Sequence, residues 1–275
     1  MKRVETGRGW ERHNRKHFDE IVVNYDKARW DYPNALIEDI LKYHGAGNRK
    51  NALEIGAGTG KATAPFLNAG FDVTAVELGA NMASFIQEKF KDYDNFKVII
   101  GAFEDVLLED NSYDLIYAAS AFHWVDAEIG CPKVFRLLKN GGTFALFRSN
   151  VISADEDELY EEIQSAYKKY YHKPYKKPVN KTKEDLWSPA EIYRGFRFED
   201  MGHYGFTDIV RKLYDVTLTF SADGYIALLD TMSDHRSLPD DDRGALYAGI
   251  RDAIIRHGDH YNIAHVFQLY MGRKL

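Results

Sequence analysis

Apolar residues along this chain fall into two alternating rhythms. Residues 52–55, 71–78, 96–102, 113–120 and 143–150 are short runs rich in aliphatic, β-branched and aromatic side chains, and they read as strands. Between them the apolar spacing turns helical. Residues 34–43 set Leu36, Ile37, Ile40 and Leu41 on one face, and residues 81–90 do the same with Met82, Phe85, Ile86 and Phe90. Further helices are expected over 62–69 and 126–138, the latter stopped by Asn140, Gly141 and Gly142. Strand and helix alternating through Asn150 predict an α/β fold with a doubly wound, mainly parallel sheet. The rhythm then breaks. Ser153 and Glu156 form a capping box for a helix to about Tyr171, with Leu159, Ile163, Ala166, Tyr167 and Tyr170 on one face. The Lys- and Tyr-rich stretch 167–183, with Trp187, Tyr193, Phe196 and Phe198, looks like a helical cap inserted over the strand ends. A strand at 214–220, two helices around Pro239 and a strand at 263–271 follow.

The first strand runs into three glycines at alternate positions, Gly56, Gly58 and Gly60, where the backbone can take positive φ or touch a ligand. A helix starting near Lys61 would turn its free amides toward whatever lies over the loop. The spacing fits neither common nucleotide loop. A dinucleotide fingerprint needs glycine where Lys61 stands, and a P-loop needs glycine at Ile55 and Ser or Thr at Ala62. The second strand ends in Glu77, about 20 residues beyond the glycines, where nucleotide-binding α/β units hold ribose hydroxyls. A solvated turn carboxylate is the alternative reading of Glu77. The fourth strand leads into Ala121, Phe122, His123 and Trp124, an aromatic pair beside a histidine at the end of a sheet strand where such folds bind ligands.

The pattern Glu54-x-Gly56-x-Gly58-x-Gly60 together with the Ala-Phe-His-Trp motif resembles class I S-adenosylmethionine (SAM) dependent methyltransferases, in particular the type 11-like group. The likeness runs from about Asn24 to the C-terminus, is weakest over the cap, and includes Ser233, Leu238, Pro239 and Arg243. It implies a seven-stranded Rossmann-like sheet completed by an antiparallel hairpin, and SAM as cofactor with S-adenosylhomocysteine as product. Carried over by motif, the resemblance implies that Glu54, Gly56, Gly58, Thr59 and Gly60 approach the amino-acid part and sugar of SAM. Glu77 and Leu78 would lie at the ribose, Met82 against the adenine, and Phe103 and Glu104 at the adenine edge, with Asp105 the substitute for Glu104. Ala119, Phe122 and Trp124 would line the cofactor, and Tyr25 with Arg29 would cover it. Two departures stand out: Trp30 occupies the place of a common proline, and Ala102 that of a common acid. Arg29 is either a partner of the SAM carboxylate or a surface ion-pair residue. His123 is a proton acceptor, a substrate hydrogen-bond partner or a packed histidine.

The division expected is a pocket-covering arm at 1–33, a SAM-binding core at 34–150, the cap at 151–205 and the C-terminal part of the core sheet at 206–275. Composition narrows the partner. A net charge of −6 over 275 residues argues against binding nucleic acid through bulk charge, although residues 1–17 carry six Lys or Arg. A single cysteine and no zinc-type Cys/His spacing fit a reducing cytoplasm and no metal. The longest apolar run is too short to span a bilayer. The reading is a cytoplasmic methyltransferase, monomer or homodimer, acting on a small molecule at an oxygen or carboxyl group, with His123 the first candidate base. The chain lacks the Asn/Asp-Pro-Pro-Tyr/Phe motif of nucleic-acid amino-methylases after the fourth strand. An RNA-modifying enzyme using the Lys/Tyr-rich cap and a SAM-binding protein without turnover remain as alternatives.

Overall fold

The computed structural model describes residues 21–45, 50–152, 157–172, 175, 182–187 and 198–275, with Phe198 and Glu199 as backbone only. Seven strands form one sheet: β1 Asn51–Ile55, β2 Asp72–Glu77, β3 Phe96–Ile100, β4 Tyr113–Ala119, β5 Leu138–Val151, β6 Thr207–Phe220 and β7 Tyr261–Arg273. Their order across the sheet is β3-β2-β1-β4-β5-β7-β6. The pairs β1/β2, β1/β4, β2/β3 and β4/β5 are parallel. β7 runs the other way along β5: Gly141 N–H donates to the Lys274 carbonyl at 2.6 Å and Lys274 N–H returns to Gly142 at 3.0 Å. This is the mostly parallel, seven-stranded architecture with one antiparallel hairpin that the resemblance implied. β4 is buried along nearly its whole length, as a strand covered on both faces must be, which is why Leu115, Ile116 and Ala118 show no alternation.

The helices are α1 Val22–Ala28, α2 Asn34–His44, α3 Thr63–Asn68, α4 Ala80–Lys89, α5 Ala127–Leu137, α6 Glu158–Tyr170, α7 Lys183–Trp187, α8 Ala222–Leu229, α9 Ser233–Arg236 and α10 Asp240–Arg256. Three differ from the sequence reading. α3 is only six residues long and starts at Thr63, whose hydroxyl is drawn inward to a buried carboxylate. α5 passes directly into β5 at Leu138, so the Asn140-Gly141-Gly142 stretch lies inside the strand and not at a helix stop. There it makes a bulge: Tyr113 pairs with Leu138 and Leu115 with Thr143, and Gly141 takes φ +75°. α6 is capped by Asp157, whose Oδ1 accepts the Tyr160 N–H at 2.8 Å. The expected box of Ser153 and Glu156 lies outside the described residues, as do Tyr193, Phe196 and most of the Lys/Tyr-rich stretch.

The chain separates into two compact units, each assembled from three segments. One comprises residues 1–30, 151–185 and 215–266. Its core is the packing of α6, α8 and α10 through Leu159, Ile163, Leu229, Leu246, Ile250 and Ile254, and α10 approaches α6 closely at Gly249, where a Cβ would stand 3.2 Å from that of Ala166. The other comprises residues 31–150, 186–214 and 267–275. Its core joins Leu53, Ile55, Ile116, Val134, Leu137 and Phe144 between β1, β4, β5 and α5.

Candidate functional site

In the second of these units, β1 ends at Ile55 and the Gly56 N–H bonds back to the Val76 carbonyl at 2.8 Å, which pins the glycine turn to β2. All three glycines take positive φ, at +71°, +56° and +78°, but for different reasons. A Cβ on Gly56 would stand 2.6 Å from that of Ala121, and one on Gly60 2.4 Å from the Phe90 ring. A Cβ on Gly58 would meet nothing within 4 Å. Gly56 and Gly60 therefore serve internal packing, whereas Gly58 leaves an open face that a ligand can occupy.

Glu77 closes the turn from below. Its Oε2 accepts the Gly58 N–H at 2.8 Å and its Oε1 the Gly79 N–H at 2.9 Å, so the carboxylate is held by two amides that flank the loop. Glu54 lies beneath, fully buried on β1. Its Oε2 accepts Thr63 Oγ1–H at 2.5 Å and Tyr117 O–H at 3.0 Å, while Oε1 has no partner among the described residues. Burial, with Glu77 nearby and only partly offset by these two donors, pushes the Glu54 carboxyl up to about 8. Tyr117 faces it because β1 and β4 pair Glu54 with Tyr117 in register. Thr59, 1% exposed, likewise has an unpartnered Oγ1, and its carbonyl accepts Lys89 Nζ at 3.0 Å.

Residues 101–106 form a second turn at the end of β3. Gly101 N–H donates to the Glu77 carbonyl at 2.9 Å, and the Asp105 and Val106 amides both reach the Ala102 carbonyl. No described group accepts the Phe103 N–H. Glu104 Oε1 accepts the Asp126 N–H at 3.3 Å. At the end of β4, Ser120 takes φ +54°, an uncommon conformation for a residue with a side chain, and its hydroxyl accepts the Tyr32 O–H at 3.3 Å. Phe122, His123 and Trp124 follow as one 3-10 turn. Phe122 is buried against Phe144, whereas His123 and Trp124 are half-buried with ring centroids 5.0 Å apart.

Loop, Glu77 carboxylate, 101–106 turn and aromatic motif thus belong to one unit, together with Leu78 and Ala119, both half-buried. Met82 is only 2% exposed and lies on the core side of α4. Tyr25 and Arg29 belong to the other unit. There Arg29 Nε donates to Thr231 Oγ1 at 2.8 Å and Nη2 to the Thr231 carbonyl at 3.1 Å, with its guanidinium 5.0 Å over the Tyr25 ring. Sequence reasoning missed Thr63, Tyr117, Gly79 and Ser120. Tyr117 had a signal, since a tyrosine in a buried central strand needs a hydroxyl partner; the others depend on register and backbone conformation. Among the described residues no cluster of His, Cys, Asp and Glu could hold a metal, and no helix is long and apolar enough to cross a membrane.

The two orphaned oxygens on Glu54 and Thr59, the open face of Gly58 and the unused Phe103 N–H suit a polar, nucleoside-bearing ligand. Comparison with known proteins agrees. Residues 53–146 match the family described as methyltransferase domain. An uncharacterized methyltransferase of Schizosaccharomyces pombe is 25% identical over 86% of each chain. A putative type II methyltransferase of Anaeromyxobacter dehalogenans superposes with a TM-score of 0.59 at 20% identity, covering 90% of this chain and 98% of that one. A phosphoethanolamine N-methyltransferase of Haemonchus contortus in complex with SAM gives 0.52 at 18% identity; the match covers 93% of this chain but only 57% of that one. At such identities the structures speak to the fold.

Proposed function

We propose that this class I SAM-dependent methyltransferase transfers its methyl group to an oxygen of a small-molecule acceptor, a hydroxyl or a carboxylate. The observation that carries the cofactor end of the reading is Glu77: its carboxylate is fixed by the Gly58 and Gly79 amides at the rim of an open glycine turn, and a carboxylate so placed is an acceptor suited to ribose hydroxyls. In this reading Glu54 and Thr59 serve the amino-acid end of SAM, Gly58 lets it approach the main chain, and Gly56 and Gly60 allow the tight turn that presents Gly58. Leu78 and Met82 flank the nucleoside, and Phe103 N–H with Glu104 or Asp105 reads the adenine edge. Ala119, Phe122 and Trp124 line the remaining wall.

Bound SAM supplies an electrophilic methyl on a sulfonium. The protein's task is to hold an acceptor lone pair in line with it and exclude water. His123, half-buried beside Trp124, takes the proton when the acceptor is a hydroxyl; a carboxylate needs no base. The net charge of −6 and the absence of an Asn/Asp-Pro-Pro-Tyr/Phe motif after β4 favour a small molecule over nucleic acid. A cytoplasmic setting and a monomeric or homodimeric state complete the proposal; Cys131, buried, with burial pushing its thiol up to about 12, needs no oxidising partner.

The test is methyl transfer from radiolabelled SAM into fractionated cell metabolites and total RNA, after native mass spectrometry of what copurifies. Label in a low-mass fraction, lost on base hydrolysis if the product is an ester, supports the proposal. Label in RNA, with steeply salt-dependent RNA binding, would overturn it.

A further inference from the structure

The 101–106 turn is gripped from one side by a single cation. Lys133, half-buried on α5, donates from Nζ to the carbonyls of Phe103 at 2.7 Å, Glu104 at 3.3 Å and Val106 at 2.5 Å, and stands 5.0 Å over the Phe103 ring. The same helix begins at Asp126, whose N–H donates to Glu104 Oε1. α5 therefore holds both the main chain and the acidic side chain of the turn. Gly101 fits this tight path at φ +156°, where a Cβ would stand 2.7 Å from Val106 Cγ1.

The consequence concerns direction. With three carbonyls drawn toward one ammonium, the turn cannot rotate its peptides freely, and the Glu104 amide, opposite the Phe103 carbonyl in its peptide plane, is aimed away from Lys133. The Phe103 N–H belongs to the preceding peptide, whose Ala102 carbonyl accepts the Asp105 and Val106 amides, so Lys133 acts on it by fixing the turn that this peptide closes. Adenine's edge needs this pairing: a donor for a ring nitrogen and an acceptor for its amino group, at fixed spacing.

We infer that Lys133 is a positioning residue for cofactor recognition, orienting the Phe103–Asp105 main chain and Glu104 so that the turn reads the adenine edge. The inference rests on the proposal that this turn meets adenine, and it adds a residue that touches neither cofactor nor acceptor.

The experiment compares S-adenosylhomocysteine with S-inosylhomocysteine, whose 6-oxo group and N1–H reverse the hydrogen-bond polarity of that edge, by calorimetry on the full chain. Wild-type protein should prefer the adenosyl compound by at least tenfold. In Lys133→Met, which keeps the aliphatic stem and removes the ammonium, the adenosyl compound should bind about tenfold more weakly and the preference should shrink by the same factor. Lys133→Arg, which retains donors for the carbonyls, should recover part of the preference, and thermal melting monitors the fold. If Lys133→Met does not fold, Lys133→Gln, with one neutral donor group, should show the same loss in part. A wild type indifferent to the two compounds would overturn the adenine reading and the inference with it. A discriminating wild type whose Met or Gln variant keeps the full preference would overturn the inference alone.

Discussion

Glu77 has two duties that one substitution can expose. It anchors the glycine turn through Gly58 and, as proposed, accepts the ribose hydroxyls. Glu77→Ala should weaken SAM binding at least tenfold, since charged hydrogen bonds are worth about 1.5–3 kcal/mol, and calorimetry reads it directly. An unchanged dissociation constant in a folded variant would remove Glu77 from the site. Gly58→Val should abolish cofactor binding while sparing the fold better than Gly60→Val, because only Gly60 abuts a ring, that of Phe90. Ligand-induced shifts in melting temperature separate the two. Glu54 makes a prediction about pH. The folded protein keeps its proton up to about pH 8, against 4.5 for the ordinary group, so between these values the unfolded chain binds fewer protons and stability falls as pH rises. Glu54→Gln keeps the acceptor for Thr63 and Tyr117 without a charge to bury. Its urea midpoint relative to wild type should therefore climb steadily from pH 5 to pH 8; a constant difference would mean that Glu54 titrates normally.

The strands of the parallel half and the glycine turn were legible because buried β-runs and alternate glycines leave periodic marks, and β1, β2, β3 and β4 begin and end within two residues of their expected bounds. Asn140-Gly141-Gly142 misled because glycine serves a strand bulge as readily as a helix end, and only the neighbour β7, far along the chain, decides between them. β6 is twice as long as its seven-residue sequence signal, since Thr207 to Leu213 have no clean alternation and are half-buried for the most part. Of the candidate site, Gly58 and Glu77 could be named from spacing and Glu54 from the family resemblance. Thr63 and Lys133 could not, for their contacts join elements whose separation in space the local pattern does not record. Packing between helices allows a contrast within α10. Ile250, fully buried against α6, should cost about 2–5 kcal/mol on replacement by Ala in denaturant titrations, whereas Ile255, 44% exposed, should cost under about 1 kcal/mol.

At the scale of the molecule, cofactor binding and folding are linked. S-adenosylhomocysteine at one hundred times its dissociation constant should add about 2.7 kcal/mol to the stability of whatever cooperative unit contains the glycine turn. One melting transition that moves as a whole would mean that both units unfold together, and two transitions of which one moves would mean that they do not. The strand order carries a further consequence, for synthesis. β6 lies at the sheet edge and reaches β5 only through β7, which is made some forty residues later. At roughly 5–20 residues per second a ribosome leaves β6, fourteen residues of extended chain, without its partner for a few seconds. During that interval its unpaired amides and carbonyls are open to any other strand, so the yield of folded protein should depend on how fast codons 221–261 are read and on whether a chaperone holds the nascent chain meanwhile.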